Sequence, residues 1–171
     1  TPSNRLHFHN CLEIGFCHTD SGLLTFEEET LQFSAGDVFI IPRHIPHTTC
    51  STKGCKSMWS YLFVDFDALA ADVFPSGEAY DSKGVVNIGR YIKITAQSDP
   101  RLHFLCNTLL EEAKKNDAEA QQMIRLYSLA MVAELQRRMM EGGKPATKNS
   151  KVFPLKPALE YIHDHFTEPC D

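Results

Sequence analysis

No stretch of this chain approaches the roughly eighteen consecutive apolar residues of a membrane-spanning helix, and no basic-then-apolar leader opens it, so no membrane partnership is expected. The six cysteines, Cys11, Cys17, Cys50, Cys55, Cys106 and Cys170, include no Cys-x-x-Cys pair, which argues against a zinc ribbon or a thioredoxin-like site. A reduced, cytoplasmic protein is the expectation. Positive charge is also scarce: 17 Lys and Arg stand against 22 Asp and Glu, for a net charge of −5. Basic residues gather only briefly, at Arg137-Arg138 and from Lys144 to Lys151. This segment by itself is therefore poorly equipped to grip phosphates.

What remains is ordinary globular material, with 171 residues of which 43% are hydrophobic and 23% charged, enough to bury a real core. The first two-thirds read as β structure. Strands are expected at Leu6 to Phe16, Leu23 to Glu27, Thr30 to Phe33, Val38 to Pro42, His47 to Ser51 and Lys56 to Phe66. Turn residues separate them at Thr19 to Gly22, Ser34 to Asp37 and Lys53-Gly54. Short, regularly punctuated strands suit a barrel or sandwich. Met58 to Phe66 is apolar on nearly both faces, as a strand between a barrel interior and a packed helix would be. From Asp67 to Ser98 the pattern is irregular, with a short apolar patch at Val85 to Ile88.

Asp99-Pro100 supplies a helix start, Asp99 as N-cap and Pro100 at the first helical position. Leu102, Leu105 and Leu109 then recur at helical spacing, widened by Cys106, Leu110 and Ala113. A second helix from about Ala118 to Met140 carries Ile124, Tyr127, Met131, Leu135 and Met139 on one stripe, with Met123, Leu126, Ala130 and Ala133 extending it. Joined at Asn116-Asp117, the two should form an antiparallel hairpin. Part of its apolar surface is core; Ile124, Tyr127, Met131 and Leu135 are also the candidates for a dimer interface. Gly142 to Ser150 is polar and aperiodic and reads as a linker. A fresh helix follows from Lys156 to Phe166, which would be marginal alone and belongs to a domain cut short.

The chemistry concentrates in His7, His9 and Glu13, followed by His47 in the run Gly36-Asp-Val-Phe-Ile-Ile-Pro42-Arg-His-Ile-Pro-His47. Side chains two apart on a strand share a face, so an unbroken strand through residues 7, 9 and 13 would put all three on one side. Nitrogen donors predominate, which suits iron, manganese, nickel, zinc or copper better than calcium or magnesium. The blander alternative is a pocket lining of hydrogen-bonding histidines. His44 reads as a turn residue or a replacement ligand, and His18, His103, His163 and His165 as solvated or structural. Among the strand aromatics Phe8, Phe16, Phe26, Phe39, Trp59, Tyr61 and Phe63, core packing is the default. Trp59 and Tyr61 are singled out as effector contacts because each carries a polar tip.

The order His7-x-His9-x3-Glu13, then Gly36-x5-Pro42-x4-His47, resembles the paired motifs of the cupin fold, a small antiparallel β-barrel. The first motif's closing glycine falls at Gly22, two residues late; His44 replaces the glycine expected after Pro42, and Ser51 stands where asparagine is frequent. Barrel, helical hairpin, linker and then Pro157-Ala-Leu-Glu-Tyr-Ile-His-Asp-His-Phe-Thr-Glu-Pro169 together resemble the N-terminal sensor half of an AraC-type transcriptional regulator, running into the first helix of its helix-turn-helix module. The resemblance implies a mainly β fold with an α appendage: a cupin-like sensor barrel at 1–98, a dimerising helical hairpin at 99–141, a linker at 142–153 and the start of a DNA-binding domain at 154–171. It implies a homodimer that binds a small-molecule effector through His7, His9, Glu13, His47, Trp59 and Tyr61, and that reaches DNA through the rest of the C-terminal domain. No catalytic residue and no required cofactor follow from it, although His7, His9, Glu13 and His47 can hold a divalent transition metal such as Zn, Ni, Fe or Mn. Two other readings stay open, a small metal-dependent cupin enzyme of dioxygenase or isomerase type and a non-catalytic binding cupin.

Overall fold

A computed structural model describes residues 5–27, 29–65, 91–115, 117–140, 157, 158 and 161. Its strands are β1 (Leu12–Cys17), β2 (Ser21–Phe26), β3 (Thr30–Ser34), β4 (Val38–Ile41), β5 (His47–Ser51), β6 (Trp59–Val64) and β7 (Ile92–Ile94). They form two antiparallel sheets, one in the order β6-β1-β4-β7 and one in the order β3-β2-β5. Two helices follow, α1 (Pro100–Ala113) and α2 (Ala118–Met140).

The two sheets carry different sequence patterns because their surroundings differ. Strands β1 and β4 are buried at every position, whereas β2 alternates, hiding Gly22, Leu24 and Phe26. One face of the larger sheet, with Cys17, Phe39 and Ile41, meets Leu24, Phe26 and Phe33 of the smaller one to form the barrel interior. Its other face, with Leu12, Ile14, Phe16, Val38, Ile40 and Ile94, is covered by Leu102, Cys106, Leu109 and Leu110 of α1 and Met131, Val132 and Leu135 of α2. Each such side chain taken out of water contributes on the order of 1.5–3 kcal/mol, so the hairpin and the larger sheet stabilise one another through one core.

Local signals set the hairpin's ends. The Asp99 carboxylate accepts from the Leu102 amide at 3.0 Å, with Pro100 at the helix start, and the Asp117 carboxylate accepts from the Ala120 amide at 2.6 Å. Arg138 near the end of α2 pairs with Asp99 at the start of α1, and Glu134 binds Arg101 at 3.2 Å, which fixes the helices antiparallel.

Three expectations need correction. The first strand does not run unbroken from Leu6: the chain bends at Asn10-Cys11, because the segment before it bridges to β5 in the smaller sheet while β1 belongs to the larger one. Strand β7, at Ile92–Ile94, was not expected from a region without clear periodicity. The assignment of Met131 and Leu135 to a dimer interface fails, since both are 0% exposed within a single chain, and Ile124 and Tyr127 pack against the same cluster. The hydrophobic stripe of α2 is consumed by the sheet beneath it. Its solvent side carries Leu126, 60% exposed, with Ala130 and Ala133. The patch at Val85 to Ile88, the linker and most of the terminal helix lie outside the described residues; Pro157, Ala158 and Tyr161 are helical.

The described cysteines Cys11, Cys17, Cys50, Cys55 and Cys106 are all free thiols. Burial pushes the Cys106 thiol up to about 12, with the Asp99 charge adding to it, whereas Cys55 is exposed. The thiolate is the reactive form, so a disulfide reagent added to native protein should modify Cys55 within minutes and leave Cys106 untouched until denaturant is added. Peptide mapping of the labelled protein reads this directly; early labelling of Cys106 would mean that the core under α1 opens readily.

Candidate functional site

Glu13 points from β1 to the interior face and is 4% exposed; His47 opens β5 and is 2% exposed. Two backbone hydrogen bonds, His7 N–H to His47 O at 3.0 Å and His47 N–H to His7 O at 2.8 Å, lay the segment around His7 beside β5. A third, from His44 N–H to His9 O at 2.8 Å, holds the next turn of that segment. The four side chains His7, His9, Glu13 and His47 are thereby gathered, one ligand atom of each lying within 4.8 Å of the others. The His9 Nε2 to Glu13 Oε2 distance is 2.9 Å and the His47 Nε2 to Glu13 Oε2 distance is 3.4 Å.

The orientation of His47 has a definite cause. Its Nδ1 donates to the Ile45 carbonyl at 2.8 Å, and a carbonyl can only accept. In the neutral ring Nε2 is then a bare acceptor, and this buried atom has no hydrogen-bond partner despite facing the Glu13 carboxylate. His7, at the rim, has its pKa held below the usual 6.5 by partial burial and by the neighbouring His47 and His9, with Glu13 opposing.

A row of rings leads into this group. Trp59 and Tyr61 stack at 5.8 Å and 6° between planes, Tyr61 and Phe63 at 6.5 Å and 18°, and Phe63 lies 4.8 Å from the His9 ring. Gly15, paired with Tyr61 across β1 and β6, makes room: a Cβ there would sit 3.4 Å from both the Trp59 and Tyr61 rings. Among the described strands β6 lies at the edge of its sheet, and Tyr61 is 41% and Phe63 53% exposed. The polar tips that recommended Trp59 and Tyr61 are engaged within the protein, the indole N–H with Ser57 Oγ at 3.1 Å and the phenol with Thr49. Burial nevertheless raises the Tyr61 pKa above 10.0, against the Thr49 hydrogen bond. It is their ring faces that line the open side. Phe63 was passed over as a core residue; its place two after Tyr61 on the same strand face was the signal for it.

His44 is a turn residue with φ of 62°, the left-handed region that the glycine of the cupin pattern would supply. His18 and His103 serve local structure, with Ser60 Oγ at 2.8 Å and Gly36 O at 3.1 Å respectively. His163 and His165 lie outside the described residues.

A two-sheet barrel of cupin type, backed by a helical hairpin and open along a ring-lined edge toward a carboxylate and three imidazoles, defines a ligand-binding class of domain. The family model described as "AraC-like ligand binding domain" matches residues 2–130, and the chain belongs to that family. It is 26% identical over 137 residues to the Msm operon regulatory protein of Streptococcus mutans serotype c, a match covering 79% of this chain and 47% of that protein. Among solved structures it is similar to the AraC-like transcriptional activator CuxR, with TM-score 0.53, 16% identity and coverage of 93% of this chain and 52% of that one. It is also similar to ToxT of Vibrio cholerae: an apo variant gives TM-score 0.56 at 8% identity, covering 92% and 58%, and the unsaturated fatty acid-bound wild type gives 0.52 at 9%, covering 92% and 57%. The chain thus spans about half the length of these relatives.

Proposed function

We propose that this domain senses a small-molecule effector and passes the result to a DNA-binding domain of the same polypeptide, working in the cytoplasm as part of a homodimer and without turning its ligand over. The observation that carries the reading is the ring-lined opening of Tyr61 and Phe63 that ends on His9 and Glu13. A ligand with an apolar or ring-like body and a polar end matches both halves of it. Family membership supports a regulatory role over a catalytic one. Among the residues of α2, Leu126, Ala130 and Ala133 take the place of Met131 and Leu135 as the proposed contact between two copies, because they are apolar and exposed along the middle of the helix.

The single tryptophan, Trp59, stacks on Tyr61 and reports on this opening. Titrating full-length protein with a panel of small amphiphilic acids, sugars and aromatic acids should reveal a compound that shifts Trp59 emission and changes the affinity for operator DNA. Tyr61→Ala should weaken that compound about tenfold, the consequence of losing roughly 1.4 kcal/mol of ring contact. A compound that binds at Trp59 yet leaves DNA affinity untouched would count against the sensor reading, because an effector acts only through its differential affinity for two states.

A further inference from the structure

Hydrogen-bonding capacity is left over at one end of the barrel interior. Strand pairing sets Phe63, Glu13 and Ile41 side by side in the larger sheet and Phe26 beside His47 in the smaller. Tyr91 stacks on Phe26 with ring centroids 3.6 Å apart, and the Phe26 ring lies 6.3 Å from that of His47. Two buried polar atoms around Phe26, His47 Nε2 and the Tyr91 phenol oxygen, have no hydrogen-bond partner among the described residues. Their polarity differs. The phenol can donate or accept, whereas His47 Nε2, in a neutral ring whose Nδ1 donates to the Ile45 carbonyl, can only accept. It stands 3.4 Å from Glu13 Oε2, a second acceptor, and the two residues are 2% and 4% exposed. His9 Nε2 meets the carboxylate at 2.9 Å but leaves His47 without a donor. A buried acceptor without a donor carries an uncompensated desolvation cost, and the Glu13 carboxylate cannot relieve it.

A donor brought by a ligand answers that arrangement, and an anion does not. An N–H or O–H group whose heavy atom sits about 2.9 Å from both acceptors spans their 3.4 Å separation with each bond bent by roughly 20°, within the range of ordinary hydrogen bonds. A carboxylate or phosphate in the same place would bring further acceptors and a negative charge beside Glu13. The open side agrees in sign, because the exposed rings of Tyr61 and Phe63 present the negative faces of their π-systems to the opening. We propose that the polar end of the effector donates hydrogen bonds and bears no negative charge, an amine or a hydroxyl on a ring-like or apolar body, with Glu13 and His47 as the acceptors that select it. This ligand class rests on the sensor reading above and narrows it to compounds without an acidic head.

Full-length protein is titrated with phenethylamine, phenethyl alcohol and hydrocinnamate, which share a phenylethyl body and differ in the head, and binding is read from Trp59 emission. The amine or the alcohol should bind wild-type protein at least about tenfold more tightly than the acid. In Glu13→Gln, which keeps the shape of the buried side chain and removes its charge, the margin over the acid should shrink by at least about tenfold, with thermal circular dichroism establishing that the variant is folded. If the variant unfolds, the wild-type series alone decides. An acid that binds as tightly as the other two, no binding by either donor, or an unchanged margin in folded Glu13→Gln overturns the proposal. An acid that shifts Trp59 emission and alters operator affinity would sink this ligand class while leaving the sensor reading intact. An amine or alcohol that binds with the expected preference but leaves operator affinity unchanged would do the reverse.

Discussion

Met131→Glu is expected to abolish the cooperative fold rather than separate two folded copies. Met131 is fully buried, with its sulfur 3.7 Å from the Cys106 sulfur, in the layer where α2 closes the outer face of the barrel. Truncating such a methionine alone costs about 2–5 kcal/mol, and a carboxylate without a partner adds the cost of burying a charge. The sum is comparable with the whole 5–15 kcal/mol by which a domain is typically stable. Thermal circular dichroism should show no sharp transition. Leu126→Glu, on the opposite side of the helix, should shift stability by less than about 0.5 kcal/mol, yet move the sedimentation coefficient from dimer to monomer. A folded, monomeric Met131→Glu protein would return the dimer surface to the buried stripe.

Gly22→Ala is expected to cost about 3 kcal/mol or more, a large effect for one methyl group. Gly22 pairs with Phe33 on one side and Ser51 on the other, and a Cβ placed on it would overlap the Cys50 carbonyl oxygen and fall 2.5 Å from the Phe33 ring. The carbonyl belongs to the sheet backbone and cannot step aside without disturbing the β2–β5 ladder, which puts this case at or beyond the 1–3 kcal/mol usual for overpacking. Gly36→Ala supplies the contrast. Its φ of +90° strains any side chain, but nothing lies within 4 Å of the added atom, so about 1 kcal/mol is expected. Urea midpoints for the two variants would decide it: equal losses would mean that the sheet around Gly22 yields and that backbone conformation alone matters.

The His-Glu-His group was legible in the sequence, but by an argument only partly right. Parity along one strand put His7, His9 and Glu13 on one face; in the structure the chain bends at Asn10-Cys11, and His7 reaches Glu13 through its bridge to His47. Spacing identified the residues because the turn chemistry at Gly36 and the chain reversal toward His47 are local. The bend was hidden because nothing within residues 6–16 says that their two halves pair with different sheets.

The hydrophobic periods and caps by themselves determined most of the elements, β7 and the start of β1 excepted: strands where apolar residues alternate or run short between turn residues, α1 from Asp99-Pro100, and α2 from Ala118 to Met140. Those depend on chain geometry within a few residues, which sequence records directly. Only the tertiary structure decided which apolar faces stay exposed. A stripe such as Ile124 to Leu135 reads alike whether a sheet of the same chain or a second molecule covers it, and here the sheet does. The same holds for the aromatics of β6, which look like core until the strand is found at the edge of the described sheet, with Tyr61 and Phe63 open beside His9 and Glu13. Burial is settled by contacts between residues distant in the chain, and no local pattern encodes which partner arrives.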